Sequence, residues 1–177
     1  MTLTLPKRKK TPEKQKVFLV GLNDEILKNI PPEILKNSEI INQQNVELNH
    51  ADDYFAAAQH LLERYQKEAT LIITSALHCA SPATALGIPV VFFLQSDEQK
   101  TRFSTLQNIL PLYTTDDLKK GNVNWNPKIP DIEALKNAML NNLRLSLAQC
   151  YGESVDLKEL QALRQTIISF PTLNKKK

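Results

Sequence analysis

Residues 70–94 of the chain read TLIITSALHCASPATALGIPVVFFL, and this stretch decides the fold. Residues 70–74 are mainly apolar without polar alternation, which is typical of a parallel strand that other elements cover on both faces. Residues 75–86 predict a short helix that ends at Gly87, because glycine commonly closes helix C-termini. Residues 88–94 predict a second strand. A strand, a helix and a strand in this order form the repeating unit of a parallel sheet.

The sequence on both sides of this stretch continues the alternation of strands and helices. On the N-terminal side it predicts strands over residues 17–22 and 39–41 and an amphipathic helix over residues 50–68. On the C-terminal side it predicts a helix over 101–110, a short strand over 112–114, a helical turn over 116–120, a long helix capped by Asp131 and a last helix over 155–168. No hairpin signal interrupts the alternation. The sequence therefore predicts an α/β fold, a Rossmann-like open, mostly parallel sheet with helices on both faces.

Basic residues are concentrated at the two ends of the chain, whereas acidic residues outnumber basic ones between them. Residues 1–16 contain six Lys or Arg and a single acidic residue, and residues 175–177 are all Lys. Residues 17–174 contain 13 basic and 18 acidic residues, which disfavours nucleic-acid binding because phosphate backbones need a basic face. We expect a basic, disordered leader over 1–16, one domain over 17–170 and a basic tail over 171–177. Contact of the basic ends with anionic lipid or a polyanion is the alternative.

The cysteines and the apolar runs indicate the compartment. Cys79 and Cys150 lie far apart in no paired spacing, so they predict neither a disulfide framework nor a zinc site. The apolar run 88–94 is too short to span a bilayer, and the basic N-terminus lacks the apolar segment of a secretory signal. We expect a cytoplasmic protein with reduced thiols and no transmembrane segment.

The candidate site residues lie where the strand 70–74 passes into the next helix. Open α/β sheets bind ligands beyond the carboxyl ends of their strands, and the free amides of a helix N-terminus favour an anion. His78 could bind that anion or act as a general acid, since an imidazole can be charged near neutral pH, or it could pack the turn. Thr74 and Ser75 could hydrogen-bond a ligand or cap the helix, and the sequence does not decide between these roles.

Three further residues each have a functional and a structural interpretation. Arg102 could reach a bound carboxylate or phosphate from the loop after the next strand, or it could be an exposed arginine at a helix start. Cys79 is expected to be a packing residue rather than a nucleophile, because no base is nearby in the sequence. Trp125 is expected to hold the loop 122–130 against the fold, with stacking on a sugar as the alternative. No Walker, Gly-rich dinucleotide, HExxH or GxSxG motif occurs, so we expect no cofactor and no metal.

Several short segments follow one another in an order typical of one family. They are LLERY at 61–65, IITS at 72–75, LHC at 77–79, ALGIPVV at 85–91, RFS at 102–104, WNP at 125–127 and DIE at 131–133. Together they span most of residues 17–145, and the sequence there resembles the C-terminal half of the polysaccharide pyruvyl transferase family. The segment ALGIPVV also occurs in glycosyltransferases of GT-B architecture, so the ordered set is the more specific signal.

The resemblance implies that the domain is equivalent to one half of a GT-B-like fold. Phosphoenolpyruvate and a saccharide acceptor then meet in the cleft between two halves, and pyruvate is transferred as a ketal onto a sugar of a cell-surface or extracellular polysaccharide. The resemblance favours a functional role for His78 as the catalytic residue. It makes Thr74, Ser75, His78 and Arg102 the expected substrate-binding residues.

Two features of the chain differ from a complete family member. Ala76 stands where the family usually has Arg before Leu77 and His78, and a complete member is about twice as long. We therefore expect a complementary N-terminal half or a homo-oligomer. Two other hypotheses stay open: the donor-binding half of a GT-B glycosyltransferase, and a degenerate, non-catalytic domain that binds a saccharide or a partner protein.

Overall fold

Five parallel strands form the sheet of the computed structural model, which describes residues 2–43, 50–96, 103, 106 and 109–170. In chain order the strands are β1 Lys16–Val20, β2 Ser38–Ile41, β3 Ala69–Thr74, β4 Val90–Phe93 and β5 Leu112–Tyr113. Their order in space is β2-β1-β3-β4-β5, and each pairing is parallel. The predicted α/β class and Rossmann-like open sheet are confirmed. The direction of strand addition reverses between β1 and β3, so this is the topological switch point.

Helices connect and flank the strands. Their bounds are α1 Asp24–Lys28, α2 Pro32–Leu35, α3 Ala51–Glu68, α4 Leu77–Ala85, α5 Thr115–Lys119, α6 Glu133–Cys150 and α7 Leu157–Ile168, and a 3-10 helix spans Thr2–Thr4. Among the described residues, none of the helices has both the length and the apolar character needed to cross a membrane.

Side chains that alternate along the strands build two apolar layers, which we call the thick face and the thin face. The sheet contributes Phe18, Val20, Ile72, Val90 and Phe92 to the thick face, and Val17, Leu19, Leu71, Ile73, Val91 and Phe93 to the thin face. Helices α3, α4 and α6 pack on the thick face, whereas the short helices α1, α2 and α5 pack on the thin face. Burial on both sides explains why the strand sequences lack polar alternation.

The helix end predicted at Gly87 is confirmed. Gly87 has φ of +73°, a conformation that side chains with a Cβ rarely adopt. Its N–H donates to the Thr84 carbonyl at 3.0 Å, and the N–H of Ile88 donates to the Ala83 carbonyl at 3.0 Å. These two bonds form a Schellman motif, which ends α4 and directs the chain into β4.

Residues 2–15 form a strap along the domain, so the expected disorder of the leader is wrong. Leu3 is 8% exposed in the thick-face core. The Arg8 N–H donates to the Leu86 carbonyl at 3.0 Å, and the Arg8 Nη1 donates to the Ala69 carbonyl at 2.6 Å. Burial of an apolar side chain and these hydrogen bonds offset the cost of ordering the segment. Both carbonyls lie close to the starts of β3 and β4, so the strap follows the amino edge of the sheet.

Element ends differ from the predicted ones by small amounts. Strand β1 begins at Lys16, within the predicted leader. The long helix begins at Glu133, and its N-cap residue is Ile132 rather than the predicted Asp131, whose Oδ1 accepts a bond from the Glu133 N–H at 3.2 Å. The helix predicted over 101–110 falls mostly outside the described residues, and the tail over 171–177 lies wholly outside them.

Charged side chains at the amino edge are paired with one another. Lys16 Nζ lies 2.5 Å from Glu39 Oε2, and Arg64 Nη2 lies 2.8 Å from Glu39 Oε1. Glu68 Oε2 lies 3.5 Å from Lys16 Nζ and 3.6 Å from Arg64 Nη2. The hydrogen bond from Lys16, together with that from Arg64, holds the pKa of the Glu39 carboxyl below its usual range. The network joins β1, β2 and the last turns of α3.

A buried lysine completes the amino edge. Lys136 of α6 is 4% exposed. Its ammonium donates to the Ala85 carbonyl at 2.7 Å and to Glu133 Oε1 at 2.8 Å. Because Ala85 ends α4, the positive charge of Lys136 lies at the negative end of that helix dipole. Lys136 therefore fixes α6 to the end of α4.

Candidate functional site

Side-chain hydrogen bonds join three strand ends at the carboxyl edge of the sheet. Ser75 Oγ donates to the Gly21 carbonyl. Gln95 Nε2 donates to the same carbonyl at 3.0 Å and to Ser75 Oγ at 2.9 Å. Gly21 follows β1, Ser75 follows β3, and Gln95 comes shortly after β4. These three residues, the edge cluster, lie at the switch point where this fold class binds its ligands.

Gly21 gives the edge cluster its backbone geometry. Its φ is +63°, in the left-handed region that favours glycine. A Cβ at this position would lie 3.6 Å from the Ala76 Cβ and 3.7 Å from Ser75 Oγ, which are ordinary contacts. The position therefore requires glycine for its conformation rather than for lack of space.

Thr74 is fully buried at the end of β3. Its Oγ1 donates to the Val20 carbonyl at 2.9 Å and accepts a bond from the Ala76 N–H at 2.9 Å. Both functions of the hydroxyl are thus used inside the protein. Of the two roles that the sequence leaves open for Thr74, the structure favours capping of the turn over contact with a ligand.

Ser75 lies at the same edge and is 7% exposed. Its hydroxyl donates to Gly21 and accepts from Gln95, so a ligand could use only the second lone pair of the oxygen. The main role of Ser75 is therefore to link the ends of β1, β3 and β4. Sequence reasoning missed Gln95, and the signal that could have found it is its position as the first polar residue after the apolar run of β4.

His78 lies where the sequence places it, in the first turn of α4 at the carboxyl end of an interior strand. Its side chain is exposed, and no described residue forms a hydrogen bond or an ion pair with the imidazole. Ala76, the N-cap residue, has an extended backbone and provides no side-chain cap. The N–H groups of Leu77 and His78 belong to the first turn, where amides lack partners within the helix. This placement is confirmed, and the role of His78 in chemistry stays a prediction.

Helix α4 is held close to the sheet by small residues and by an internal proline. Cys79, Ala80 and Ala83 are buried in the thick-face core. Pro82 lies four residues after His78 and has no N–H, so it cannot donate to the His78 carbonyl as an ordinary helix residue would. The His78 carbonyl therefore lacks its ordinary helical partner.

Cys79 is buried and its thiol is free. Its Sγ lies 3.3 Å from the hydroxyl of Tyr65, which also accepts a bond from Gln43 Nε2 at 3.0 Å. Burial raises the pKa of the Cys79 thiol to about 11. The pKa of the Tyr65 hydroxyl is also raised, mainly by burial and to a smaller extent by the neighbouring Cys79. Cys79 is fully buried in the thick-face core, so the interpretation of this residue as a packing residue is confirmed.

The structure describes Trp125 but not Arg102, the two other residues singled out in the sequence. Arg102 lies outside the described residues, and its contact with a ligand stays a prediction. The ring of Trp125 lies 6.0 Å from that of Phe93 on the thin face, so the indole holds its loop against the sheet as expected. Within the described ranges, no group of three or more His, Cys, Asp or Glu side chains could hold a metal ion.

Comparison with protein-family models, with curated proteins and with solved structures found no match for this chain. The resemblance to polysaccharide pyruvyl transferases therefore rests on the sequence segments, and the fold rests on the structure itself.

Proposed function

We propose that this chain is a polysaccharide pyruvyl transferase-like domain, equivalent to one half of a GT-B-like fold, that works in the cytoplasm. Phosphoenolpyruvate binds at the N-terminus of α4, and its pyruvate is transferred as a ketal onto a sugar once a second half completes the cleft. One observation carries the proposal: an uncapped helix N-terminus and an exposed His78 occur together at the carboxyl end of an interior strand.

His78 has two tasks in the proposed reaction. As an imidazolium it pairs with the carboxylate or phosphate of phosphoenolpyruvate, beside the free amides of the first turn. Two sugar hydroxyls add to the enol carbon and lose their protons; the methylene carbon gains one proton, and inorganic phosphate leaves with the other. A charged imidazole can supply the proton that the methylene carbon gains, as a general acid. Ser75 borders the ligand, whereas Thr74 supports the turn from within.

The isolated domain is expected to bind phosphoenolpyruvate weakly and to transfer no pyruvate alone. A charge-assisted hydrogen bond contributes about 1.5 to 3 kcal/mol, and a helix N-terminus about 0.3 to 1 kcal/mol. Their sum corresponds to affinities of about 1 mM or weaker, since about 4 kcal/mol gives 1 mM. The expected weakness follows from Ala76, which offers no charge at the N-cap position.

Substitution of Ala76 by arginine tests the proposal. Ala76 is half-buried at the N-cap, so a long side chain there can extend past the end of α4 toward the bound anion. We expect Ala76→Arg to strengthen phosphoenolpyruvate binding about ten- to hundredfold. The added change His78→Ala should remove much of that gain. Gln149→Arg, which adds the same charge at an exposed site on α6, is the matched control and should leave affinity unchanged.

Calorimetric titration at fixed salt, with folding checked by circular dichroism, compares these proteins. Equal affinities in the wild type and all three variants would overturn the proposal. A second candidate, a non-catalytic saccharide- or partner-binding domain, would then take its place, and the internal use of the Thr74 and Ser75 hydroxyls favours it. Micromolar affinity for a nucleotide sugar would instead support the donor-binding half of a glycosyltransferase.

A further inference from the structure

Helix α3 is longer than the sheet that it covers. Its 18 residues extend about 27 Å, whereas the six residues of β3 extend about 20 Å. In its second half, Leu61 and Leu62 pack against the thick-face core and Tyr65 is 1% exposed. In its first half, Tyr54 is 57% exposed and Phe55 is 76% exposed. The first half therefore lacks packing against the described part of the domain.

The topology places this unpacked half at the same edge of the sheet as the candidate site. Helix α3 leads from the carboxyl end of β2 to the amino end of β3, so its first residues lie at the carboxyl edge of the sheet. Helix α4, with His78, begins at the same edge. We call residues 51–60 the projecting half of α3.

One apolar stripe runs along both halves of α3. Tyr54, Ala58, Leu61 and Tyr65 follow one another at spacings of four, three and four residues, which places them on one side of the helix. Leu61 and Tyr65 are covered by the sheet. Tyr54 and Ala58 continue the stripe and are exposed. The stripe has the composition of a buried surface along its full length, although the described part of the domain covers only its second half.

We propose that two copies of this chain pair through the projecting halves, with the helices antiparallel and the two carboxyl edges facing each other. Tyr54 and Phe55 are followed by three alanines. In an antiparallel pair, the aromatic rings of each copy lie against Ala57 and Ala58 of the other. Alanines allow a close approach of the helix axes, and the same match is made twice about a two-fold axis.

Charge complementarity supports the antiparallel direction. Asp52 and Asp53 begin α3, and His60 lies two turns further along, with all three side chains exposed. Antiparallel pairing about Ala56 places the two aspartates of one copy near His60 of the other, whereas parallel pairing would place aspartates against aspartates. The opposed helix dipoles favour the same direction.

The contact is small, so the dimer is expected to be weak. Two helix halves of this length bury less than the roughly 1,600 Å² of a standard interface. Pairing would bring the His78 regions of both copies to one shared cleft, which supplies a second half for the proposed transfer. The pairing itself does not depend on the proposed function, and its test contains no ligand.

Sedimentation equilibrium over a wide range of protein concentrations tests the pairing. The wild-type chain should show a monomer–dimer equilibrium. The double change Tyr54→Asp with Phe55→Asp should weaken dimerisation at least about thirtyfold, because central aromatic residues dominate small interfaces. Tyr151→Asp, at an 81% exposed aromatic residue after α6, is the matched control and should leave association unchanged. Circular dichroism confirms that each variant is folded.

Cross-linking locates the contact. In a Cys150→Ser background, where the remaining Cys79 is buried, Ala58→Cys should give a covalent dimer with a short bismaleimide. Gln66→Cys, exposed on the second half of α3, should not. A wild-type chain that stays monomeric at every concentration would overturn the proposal, as would equal loss of dimer in the Tyr151→Asp control. Equal phosphoenolpyruvate affinities in the wild type and the Ala76→Arg variants would overturn the proposed function and leave the pairing intact.

Discussion

The amino edge and the carboxyl edge of the sheet use their polar side chains differently. At the amino edge, Lys16, Glu39 and Arg64 pair with one another, and the strap (residues 2–15) lies along the strand starts. At the carboxyl edge, the imidazole of His78 is exposed and has no partner among the described residues. The comparison teaches that ion pairs and the strap hold one edge together, whereas the other edge presents an exposed histidine beside its strand ends.

The largest expected effect tests the amino edge through the strap. Leu3→Ala should lower the free energy of unfolding by about 2 to 5 kcal/mol, because it removes a buried side chain from the thick-face core. Urea unfolding followed by circular dichroism measures the change. Leu157→Ala, at a side chain that is 61% exposed, is the control and should have little effect. A Leu3→Ala loss no larger than that of the control would mean that the strap contributes little to stability.

The next effect tests whether the carboxyl edge also contains a stabilising element. Ser75→Ala should lower the free energy of unfolding by about 1 kcal/mol, since it removes a hydrogen bond to the Gly21 carbonyl while Gln95 still donates to that oxygen. Chemical denaturation of the variant gives the value. Ser96→Ala, at an exposed neighbour of Gln95, serves as the reference. Equal stability of both variants would contradict a tying role for Ser75.

A smaller effect tests the ion pairs by their pH dependence. The folded-state pKa of Glu39 is lowered, so its contribution is present above the unfolded value of about 4.3 and is lost as the pH falls through the folded value. Glu39→Gln should cost about 0.2 to 1 kcal/mol at neutral pH, because the pair is partly exposed. The cost should vanish in strongly acidic buffer. Glu33→Gln, at an exposed glutamate, should show no such pH dependence, and a cost for Glu39→Gln that persists in acid would refute the ionic origin.

The smallest effect sharpens the contrast between the edges. His78→Ala should change the free energy of unfolding by less than about 0.5 kcal/mol, since the side chain is exposed and the described residues form no bond with it. Thermal and urea unfolding at neutral pH measure the difference. A loss above about 1 kcal/mol would show that His78 packs the turn, which is the structural role that the sequence also allows.

The strands and the end of α4 could be predicted because their signals are local. Apolar runs mark β3 and β4, and Gly87 alone indicates the Schellman motif. The position of His78 follows from the same pattern, because a residue just after a parallel strand must lie at the carboxyl edge. Local sequence therefore located the candidate site within the fold.

What the sequence could not show depends on residues that are distant along the chain. The hydroxyl of Thr74 is used by the Val20 carbonyl, 54 residues earlier, and this partner follows from the register of β1 against β3. The strap is ordered through hydrogen bonds to the carbonyls of Ala69 and Leu86. These distant partners cannot be inferred from the charge pattern of the strap. The basic residues of the strap indicate a solvated segment. Burial of Leu3 and hydrogen bonds from Arg8 to two carbonyls hold the strap against the domain instead.

The strap also has a consequence for the order in which the protein folds as it is synthesised. Arg8 leaves the ribosome early, but its partner Ala69 lies 61 residues later in the chain, and the Leu86 carbonyl later still. During synthesis, the hydrogen bonds of Arg8 therefore cannot form until β3 and α4 have been translated. Contacts of such long sequence separation form late, because closing the loop between them costs entropy that local contacts do not. The strap is translated before β3 and α4, yet it is thus among the last segments to reach its native position.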